Sequence, residues 1–300
     1  MPRPRFGRLI TAMVTPFAAD GSLDVKAARR VAGHLVDHGS EGLLVCGTTG
    51  ESPTLSHAEK LELFEAVLGE VGERATVIAG TGTYDTRASV TLTREACDLG
   101  AHACLVVTPY YSKPPQDGLL AHFRTIADAS SKPLMLYDIP GRTGRRIEPS
   151  TMVALAEHER IVAVKDAVGD AGETAHLRAR LDLAGHTDFE IYSGDDPLLL
   201  PHLAAGAVGI VSVCSHLVGD RLAELFDHWE AGRVDEARAI YTRLLPLLKT
   251  IMTVTASPIP VKAAVNMLGL EAGEPRLPLV PLNADDSELV RRALEAQGLL

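Results

Sequence analysis

Two short apolar stretches, PLMLYDIP (133–140) and IVAVKDA (161–167), set the fold prediction for this sequence. Neither stretch alternates apolar with polar residues, and each carries a pair of polar side chains near its end, Tyr137-Asp138 and Lys165-Asp166. A continuous apolar run of this length is typical of a strand in a parallel sheet that is covered on both faces. The further runs of the same kind are LITAMVTPF (9–17), GLLVCG (42–47), TVIAGTG (76–82), ACLVVTP (103–109), FEIYSGDD (189–196) and GAVGIVSVCS (206–215).

The segments between these runs carry helical periodicity. Residues 24–39 and 56–72 place apolar side chains three and four positions apart. Gly39 is a typical residue just after a helix end, and Ser56 with Glu59 predicts a capping box at a helix start. Eight strand–helix units in about 230 residues predict the α/β class and, within it, a (β/α)8 TIM barrel.

Beyond the eighth run the sequence shows helical patterns only. We therefore predict a (β/α)8 barrel over residues 1–230 and a C-terminal helical domain over residues 231–300. An open, doubly wound sheet is the alternative architecture. The segment TPFAADG (15–21), however, lacks the glycine fingerprint that such a sheet carries after its first strand.

The composition is that of an ordinary folded enzyme, with 46% apolar residues, 23% charged residues and a formal net charge of −10. The negative charge disfavours a nucleic-acid or anionic-membrane partner. No apolar run approaches the ~18–20 residues that cross a bilayer, and Pro16 interrupts the first run before a signal-peptide core forms. The four cysteines show no C-x-x-C pair, which predicts buried thiols in a reducing compartment. We therefore expect a cytoplasmic protein.

Lys165 is the predicted nucleophile because it closes the strand IVAVK (161–165), at the end where a barrel of this kind carries its active site. Apolar surroundings lower the pKa of a lysine and free the neutral amine that attacks carbonyl carbons. Only seven of the 29 basic residues are lysines, and no other lysine ends an apolar run. From the residue alone, a strand-end lysine that is paired with Asp166 remains the alternative.

Tyr137 ends the preceding strand, so we expect it beside Lys165, where a phenol moves protons to and from a carbinolamine. A packed aromatic ring with a satisfied hydroxyl is the alternative. Aromatic residues make up only 4% of the chain. Their scarcity favours a role for Tyr137 and for the pair Tyr110-Tyr111 at another strand end.

The polar turn GTTGE (47–51) offers backbone N–H groups and the hydroxyls of Thr48 and Thr49, which suit a small carboxylate. It lacks the Lys-Ser/Thr end of a P-loop, so nucleotide binding fits it poorly. Arg142 offers a guanidinium fork for a second carboxylate, with a surface loop arginine as its alternative. The eleven histidines form no metal-ligating cluster at a strand end, and we predict neither a metal nor another cofactor.

Six motifs resemble, in their order and spacing, the dihydrodipicolinate synthase family of class I pyruvate aldolases. They are GTTGES (47–52), TPYY (108–111), LYDIPGRTG (136–144), VKDA (164–167), SGDD (193–196) and SPIPVK (257–262). The resemblance covers nearly the whole chain and implies a barrel with a C-terminal helical domain, assembled as a homotetramer (a dimer of dimers). It implies a lyase of lysine and diaminopimelate biosynthesis that condenses pyruvate with L-aspartate 4-semialdehyde to 4-hydroxy-tetrahydrodipicolinate.

The resemblance also implies a role for each matched residue. Lys165 forms the Schiff base with pyruvate, and Tyr137 donates and accepts the proton. Thr48 links Tyr137 in a relay to Tyr111, which enters the site from the neighbouring subunit. The implied substrate-binding residues are Thr49 for the pyruvate carboxylate, Arg142 for the semialdehyde carboxylate, the main chain at Val211 for the pyruvate site, and Gly194.

Three departures from the family pattern stand out. Asp138 follows the catalytic tyrosine where an asparagine is usual, which alters the local charge, and Ser257 replaces the commoner asparagine before a proline. At the lysine feedback site, Lys60, Tyr84 and Ala88 stand where lysine-sensitive members have a histidine, an asparagine and a glutamate. A cationic Lys60 and a missing carboxylate disfavour the ammonium group of the ligand. We therefore predict weak or absent inhibition by lysine.

Other functions remain open at this point. An N-acetylneuraminate lyase or a sugar-acid aldolase shares the lysine and the tyrosine but typically lacks a double threonine paired with the PGRTG arginine. A metal-dependent barrel hydrolase is an alternative from a different class, and chelation would inactivate it. A silent protein that merely binds a keto acid is disfavoured by the intact set of Lys165, Tyr137 and Thr48.

Overall fold

The chain, in a computed structural model that describes residues 3–300, forms a closed eight-stranded barrel with the strands in chain order. Neighbouring strands pair in parallel, which confirms the predicted TIM barrel. The strands are β1 (Leu9–Ala12), β2 (Gly42–Val45), β3 (Thr76–Gly80), β4 (Ala103–Val107), β5 (Leu134–Asp138), β6 (Ile161–Asp166), β7 (Glu190–Ser193) and β8 (Gly209–Ser212). Each predicted apolar run contains one strand and continues into the loop that follows it.

Helices separate the strands and continue the chain after β8. Within residues 3–300 they are α1 (Val25–Asp37), α2 (His57–Val71), α3 (Thr86–Asp98), α4 (Gln116–Ala129), α5 (Pro140–Thr143), α6 (Pro149–Ala156), α7 (Ala171–Leu183), α8 (Leu199–Ala204), α9 (Ser215–Glu230), α10 (Val234–Thr253), α11 (Ile259–Met267) and α12 (Ala284–Glu295). Two 3-10 turns, Ser52–Thr54 and Asp196–Leu198, precede α2 and α8. None of these helices is both long and apolar enough to cross a membrane, as far as residues 3–300 are concerned.

The helix-end signals of the sequence are confirmed at α1 and α2. The Ser56 hydroxyl accepts a hydrogen bond from the Glu59 amide at 3.2 Å, and the Glu59 carboxylate accepts one from the Ser56 amide at 2.8 Å. This reciprocal pair is the predicted capping box. Gly39 has a φ of +94° just beyond the end of α1, a conformation that glycine adopts without a steric penalty.

The chain divides into two compact units, one running up to Val77 and resuming at Ser212, the other comprising Ile78–Val211. The second unit contains β4 to β7 in parallel register, so the carboxyl ends of these strands lie side by side. The first unit contains α10 to α12, which follow the end of α9 at Glu230. The division into a barrel (1–230) and a helical domain (231–300) stays a prediction. All four cysteines are free and buried, as expected from the sequence.

Candidate active site

Lys165 lies near the carboxyl end of β6 and is only 4% exposed. Burial lowers the pKa of its amine from 10.5 to about 8, with Asp196 opposing this shift and Arg142 adding to it. A lysine in such surroundings is neutral often enough near pH 7 to act as a nucleophile. The sequence prediction of a desolvated lysine is confirmed.

The alternative, a Lys165 that is paired with Asp166, does not fit the geometry. The Asp166 carboxylate accepts hydrogen bonds from the Thr174 hydroxyl of α7 at 2.6 Å and from the Val168 amide at 3.0 Å. Successive residues of a strand point to opposite faces of the sheet. Asp166 therefore faces the helix outside the barrel, and Lys165 faces the interior.

Tyr137 stands beside Lys165, as the order of the strands predicts. The two residues are register partners on β5 and β6, and the Lys165 Nζ lies 4.4 Å from the centre of the Tyr137 ring. Tyr137 is only 5% exposed. A phenol and a depressed-pKa amine thus lie together in a water-poor site, which suits proton transfer during carbonyl chemistry.

Gly194 and Arg142 also lie close to Lys165 in this unit. A Cβ atom on Gly194 would lie 3.1 Å from Lys165 Cε and 2.8 Å from Ala167 Cβ, so a larger residue would press on the lysine chain. Arg142 is exposed on the short helix α5, and its positive charge acts on Lys165. A guanidinium exposed at this position presents the fork of N–H donors that suits a carboxylate. Val211 is fully buried on β8 of the same unit.

Thr48 and Thr49 lie in a tight turn of the other unit. The turn is bounded by Cys46 and Glu51, two residues other than glycine with left-handed φ values of +56° and +55°. The Glu51 amide donates to the Thr48 carbonyl at 3.0 Å, and Thr49 is buried while Thr48 is half-buried. Left-handed residues of this kind cost about 1–3 kcal/mol each and persist where the surroundings hold them.

Tyr111 has a different setting from the other predicted site residues. It follows β4 with a left-handed φ of +69°, and 92% of its surface is exposed. Its neighbour Tyr110 is anchored instead, with its hydroxyl 3.3 Å from the Thr83 hydroxyl and its ring edge-on to Tyr84. The Tyr111 ring is therefore a large aromatic surface that lies in solvent in the single chain.

Asp138, which the sequence identified as a departure from the family pattern, is 4% exposed at the end of β5. Burial raises the pKa of its carboxyl to about 7, against the hydrogen bond from the Ile147 amide, and the nearby Asp166 raises it further. Below pH 7 the side chain is therefore mostly neutral and resembles the uncharged amide of asparagine. The substitution changes the local charge mainly above neutral pH.

Sequence reasoning missed the influence of Asp196 on the pKa of Lys165. Asp195 and Asp196 follow β7, and the Asp195 side chain makes no cap hydrogen bond at the 3-10 turn there. Asp196 is 1% exposed and favours the charged form of Lys165. The sequence held one signal for this influence: Asp196 follows β7, the strand that pairs with β6. Among residues 3–300, no group of three or more His, Cys, Asp or Glu side chains is arranged to hold a metal ion.

Comparison with known proteins places this arrangement in a family. Residues 5–297 match the model of the dihydrodipicolinate synthetase family. The chain belongs to the dihydrodipicolinate synthetase family. Every predicted site residue lies within the matched stretch, so the family resemblance drawn from six motifs extends over the whole candidate site.

Relatives within the dihydrodipicolinate synthetase family support this membership. The 4-hydroxy-tetrahydrodipicolinate synthase of Acidothermus cellulolyticus is 54% identical over 293 residues, 98% of this chain and 93% of the relative. The crystal structure of dihydrodipicolinate synthase from Cyanidioschyzon merolae with lysine bound has a TM-score of 0.95 at 42% identity, covering 99% of this chain and 100% of that one. The Acinetobacter baumannii enzyme complexed with pyruvate has a TM-score of 0.93 at 36% identity, covering 98% and 100%.

Proposed function

We propose that this chain condenses pyruvate with L-aspartate 4-semialdehyde through a Schiff base on Lys165 and thereby forms 4-hydroxy-tetrahydrodipicolinate. The observation that carries the mechanism is the Lys165 amine, which is buried with a pKa of about 8 and lies 4.4 Å from the Tyr137 ring. The choice of reaction is supported by relatives about 50% identical over nearly the whole chain, which are 4-hydroxy-tetrahydrodipicolinate synthases.

The chemistry follows from a neutral lysine beside a phenol. The Lys165 amine adds to C2 of pyruvate, and loss of water from the carbinolamine gives the imine. Loss of a proton from C3 gives the enamine, and C3 bonds to the aldehyde carbon while the aldehyde oxygen takes up a proton. The amino group of the semialdehyde then adds to C2 of the imine, which closes the ring. Cleavage of the C2–N bond to Lys165, with a proton moving to the lysine nitrogen, releases the cyclic product and restores the amine.

The remaining residues have substrate roles in this proposal. Tyr137 moves the protons, Arg142 binds the semialdehyde carboxylate, and Thr49 holds the pyruvate carboxylate. Thr48 and Tyr111 extend the proton relay, and Gly194 and the Val211 main chain serve the pyruvate site. These roles rest on the motif resemblance, and for Arg142 also on its exposed charge close to Lys165.

The quaternary structure and the location belong to the same proposal. We propose a homotetramer in which Tyr111 reaches into a neighbouring subunit, because this tyrosine is 92% exposed on a strained backbone. A partner subunit would bury that ring, and exposed aromatic side chains are typical of interface contacts. We propose a cytoplasmic enzyme, since all four cysteines are free thiols.

Borohydride reduction in the presence of pyruvate tests the proposed covalent step. We expect mass spectrometry to find one reduced pyruvate adduct per chain, located on Lys165, because reduction traps the imine as a stable amine. A chain treated with borohydride alone is the control. Absence of the adduct, or its location on another lysine, would refute the mechanism.

A coupled assay separates the proposed reaction from the related aldolases. We expect turnover with pyruvate and aspartate semialdehyde, and none with N-acetylneuraminate or a sugar-acid aldol in the cleavage direction. Turnover with a sugar-acid substrate and none with aspartate semialdehyde would favour a sugar-acid aldolase. Chelation is expected to leave the rate unchanged, whereas a metal-dependent hydrolase would lose its activity.

Lysine is expected to be a weak inhibitor or none. Lys60 carries a positive charge where the ligand ammonium would need a neutral or negative partner, and Ala88 offers no carboxylate. Loss of one charged contact typically weakens binding by about tenfold to a hundredfold. We therefore expect about 1 mM lysine to change the initial rate by less than about twofold.

The matched variant for this test carries Lys60→His, Tyr84→Asn and Ala88→Glu. It restores the three family residues at the feedback site and is expected to become more sensitive to lysine than the natural chain. The Cyanidioschyzon merolae enzyme, whose crystal structure has lysine bound, serves as the positive control for lysine binding, which is measured alongside the rates. Strong inhibition of the natural chain at sub-millimolar lysine would show that the prediction is wrong.

A further inference from the structure

A second fully buried lysine lies outside the proposed chemistry. The side chain of Lys262 on α11 is 1% exposed, and its ammonium donates to the Glu51 carboxylate at 2.7 Å and to the Thr15 carbonyl at 2.8 Å. It also lies 4.1 Å from the centre of the Phe17 ring. Burial lowers the pKa of Lys262, but the adjacent carboxylate holds its proton, so this amine is not a competing nucleophile.

The partner carboxylate is held equally closely. The Glu51 side chain is completely buried, and its second oxygen accepts a hydrogen bond from the Arg276 amide at 2.9 Å. The Arg276 guanidinium in turn donates to the Glu59 carboxylate and to the Thr54 carbonyl. Both oxygens of Glu51 are thus tied to segments far away in the sequence.

A buried ion pair of this kind adds little to the free energy of folding. Removing two charges from water costs about as much as their attraction returns, and well-packed apolar residues of similar volume are often as stable. A better-attested use of buried charges is to fix one geometry among several. The geometry at stake here is that of the turn that ends in Glu51.

The main chain of Glu51 connects the ion pair to the two threonines. Glu51 has a left-handed φ of +55°, and its amide donates to the Thr48 carbonyl at 3.0 Å. The Gly50 carbonyl accepts from the Thr15 hydroxyl at 2.7 Å, and the Thr15 carbonyl accepts from Lys262. A change in the Glu51 side chain therefore acts directly on the backbone that carries Thr48 and Thr49.

We propose that Glu51 and Lys262 are positioning residues, whose buried ion pair holds the Thr48-Thr49 turn in the conformation that binds the carboxylate of pyruvate. The inference rests on the proposed function, in which Thr49 holds that carboxylate. Neither charged group touches a substrate in this scheme. Glu51 and Lys262 affect pyruvate binding only by fixing the positions of Thr48 and Thr49.

The variants that test it are Glu51→Gln, which keeps the shape and removes the charge, and Lys262→Met, which keeps the chain length. We expect each to raise KM for pyruvate by about tenfold to a hundredfold, since a misplaced binding group loses affinity on this scale. KM for aspartate semialdehyde is expected to stay within about twofold of the natural value. Lys262→Arg retains the charge and is expected to recover part of the pyruvate affinity.

A destabilised variant away from the turn separates positioning from a structural role. Leu294→Ala on α12 removes a fully buried side chain and is expected to lower the melting temperature while leaving both KM values unchanged. An unchanged KM for pyruvate in Glu51→Gln, or a parallel rise of both KM values, would overturn the inference. If a single variant does not fold, the double variant Glu51→Gln with Lys262→Met, which leaves no unpaired charge, decides by the same criterion.

Borohydride trapping on the natural enzyme distinguishes a failure of the proposed function from a failure of the positioning role. If it forms no borohydride-trapped pyruvate adduct, the proposed function itself fails and this inference fails with it. If the adduct forms and the variants bind pyruvate normally, the positioning role alone is wrong.

Discussion

Lys165→Ala is expected to lower the rate of pyruvate-dependent condensation by at least about 10³-fold and to abolish the borohydride-trapped adduct. No other amine can take over, because Lys262 is the other buried lysine of the described chain and is ion-paired to Glu51. Lys165→Arg is expected to be equally inactive. It retains a positive charge but offers no neutral nucleophile near pH 7.

The matched control is Lys249→Ala, which removes an exposed lysine of α10. We expect its rate and its adduct yield to equal those of the natural chain. Circular dichroism of the Lys165 variants checks that inactivity does not reflect unfolding. Substantial turnover by folded Lys165→Arg would rule out the Schiff base as the route of catalysis.

The pH dependence of adduct formation tests whether burial lowers the pKa of Lys165. In the proposed mechanism the neutral amine is the nucleophile, and with a pKa of about 8 it makes up about a tenth of the lysine at pH 7. The rate of adduct formation is therefore expected to rise by about tenfold per pH unit below pH 8 and to level off above it. A rise that continues to pH 10 would mean that burial does not depress this pKa.

Continuous apolar runs made the barrel predictable from the sequence. Each run had to be buried on both faces, and eight of them separated by helical segments leave few other architectures. The placement of Lys165 beside Tyr137 followed from the same logic, since residues that end adjacent strands become neighbours. Their pairing in the structure confirms that step.

The Glu51–Lys262 ion pair was beyond the reach of this reasoning. The two residues are 211 positions apart, and in the sequence they belong to two separate motifs, GTTGES for Glu51 and SPIPVK for Lys262. Periodicity describes contacts within an element or between adjacent strands, whereas this contact depends on how α11 packs. The raised pKa of Asp138 was likewise not predictable from the sequence, because it depends on burial that only the fold defines.

Tyr137→Phe is expected to lower kcat by about 10²- to 10⁴-fold, the range that one positioned acid–base group contributes. The variant removes a single hydroxyl and keeps the ring whose centre lies 4.4 Å from Lys165 Nζ. Because the amine remains, the pyruvate adduct is still expected to form, but more slowly. Single-turnover trapping at several times, together with steady-state kcat, measures the two effects separately.

Tyr192→Phe is the matched control, since Tyr192 is the register partner of Lys165 on its other side. The Tyr192 hydroxyl donates to the Glu190 carboxylate at 2.9 Å, two residues earlier on β7, and therefore points toward the amino end of the sheet. Its loss is expected to cost about 1–3 kcal/mol of stability and to leave kcat within about threefold. If both variants slow catalysis alike, packing around Lys165 explains the loss. If only Tyr137→Phe does, the phenol is the proton carrier.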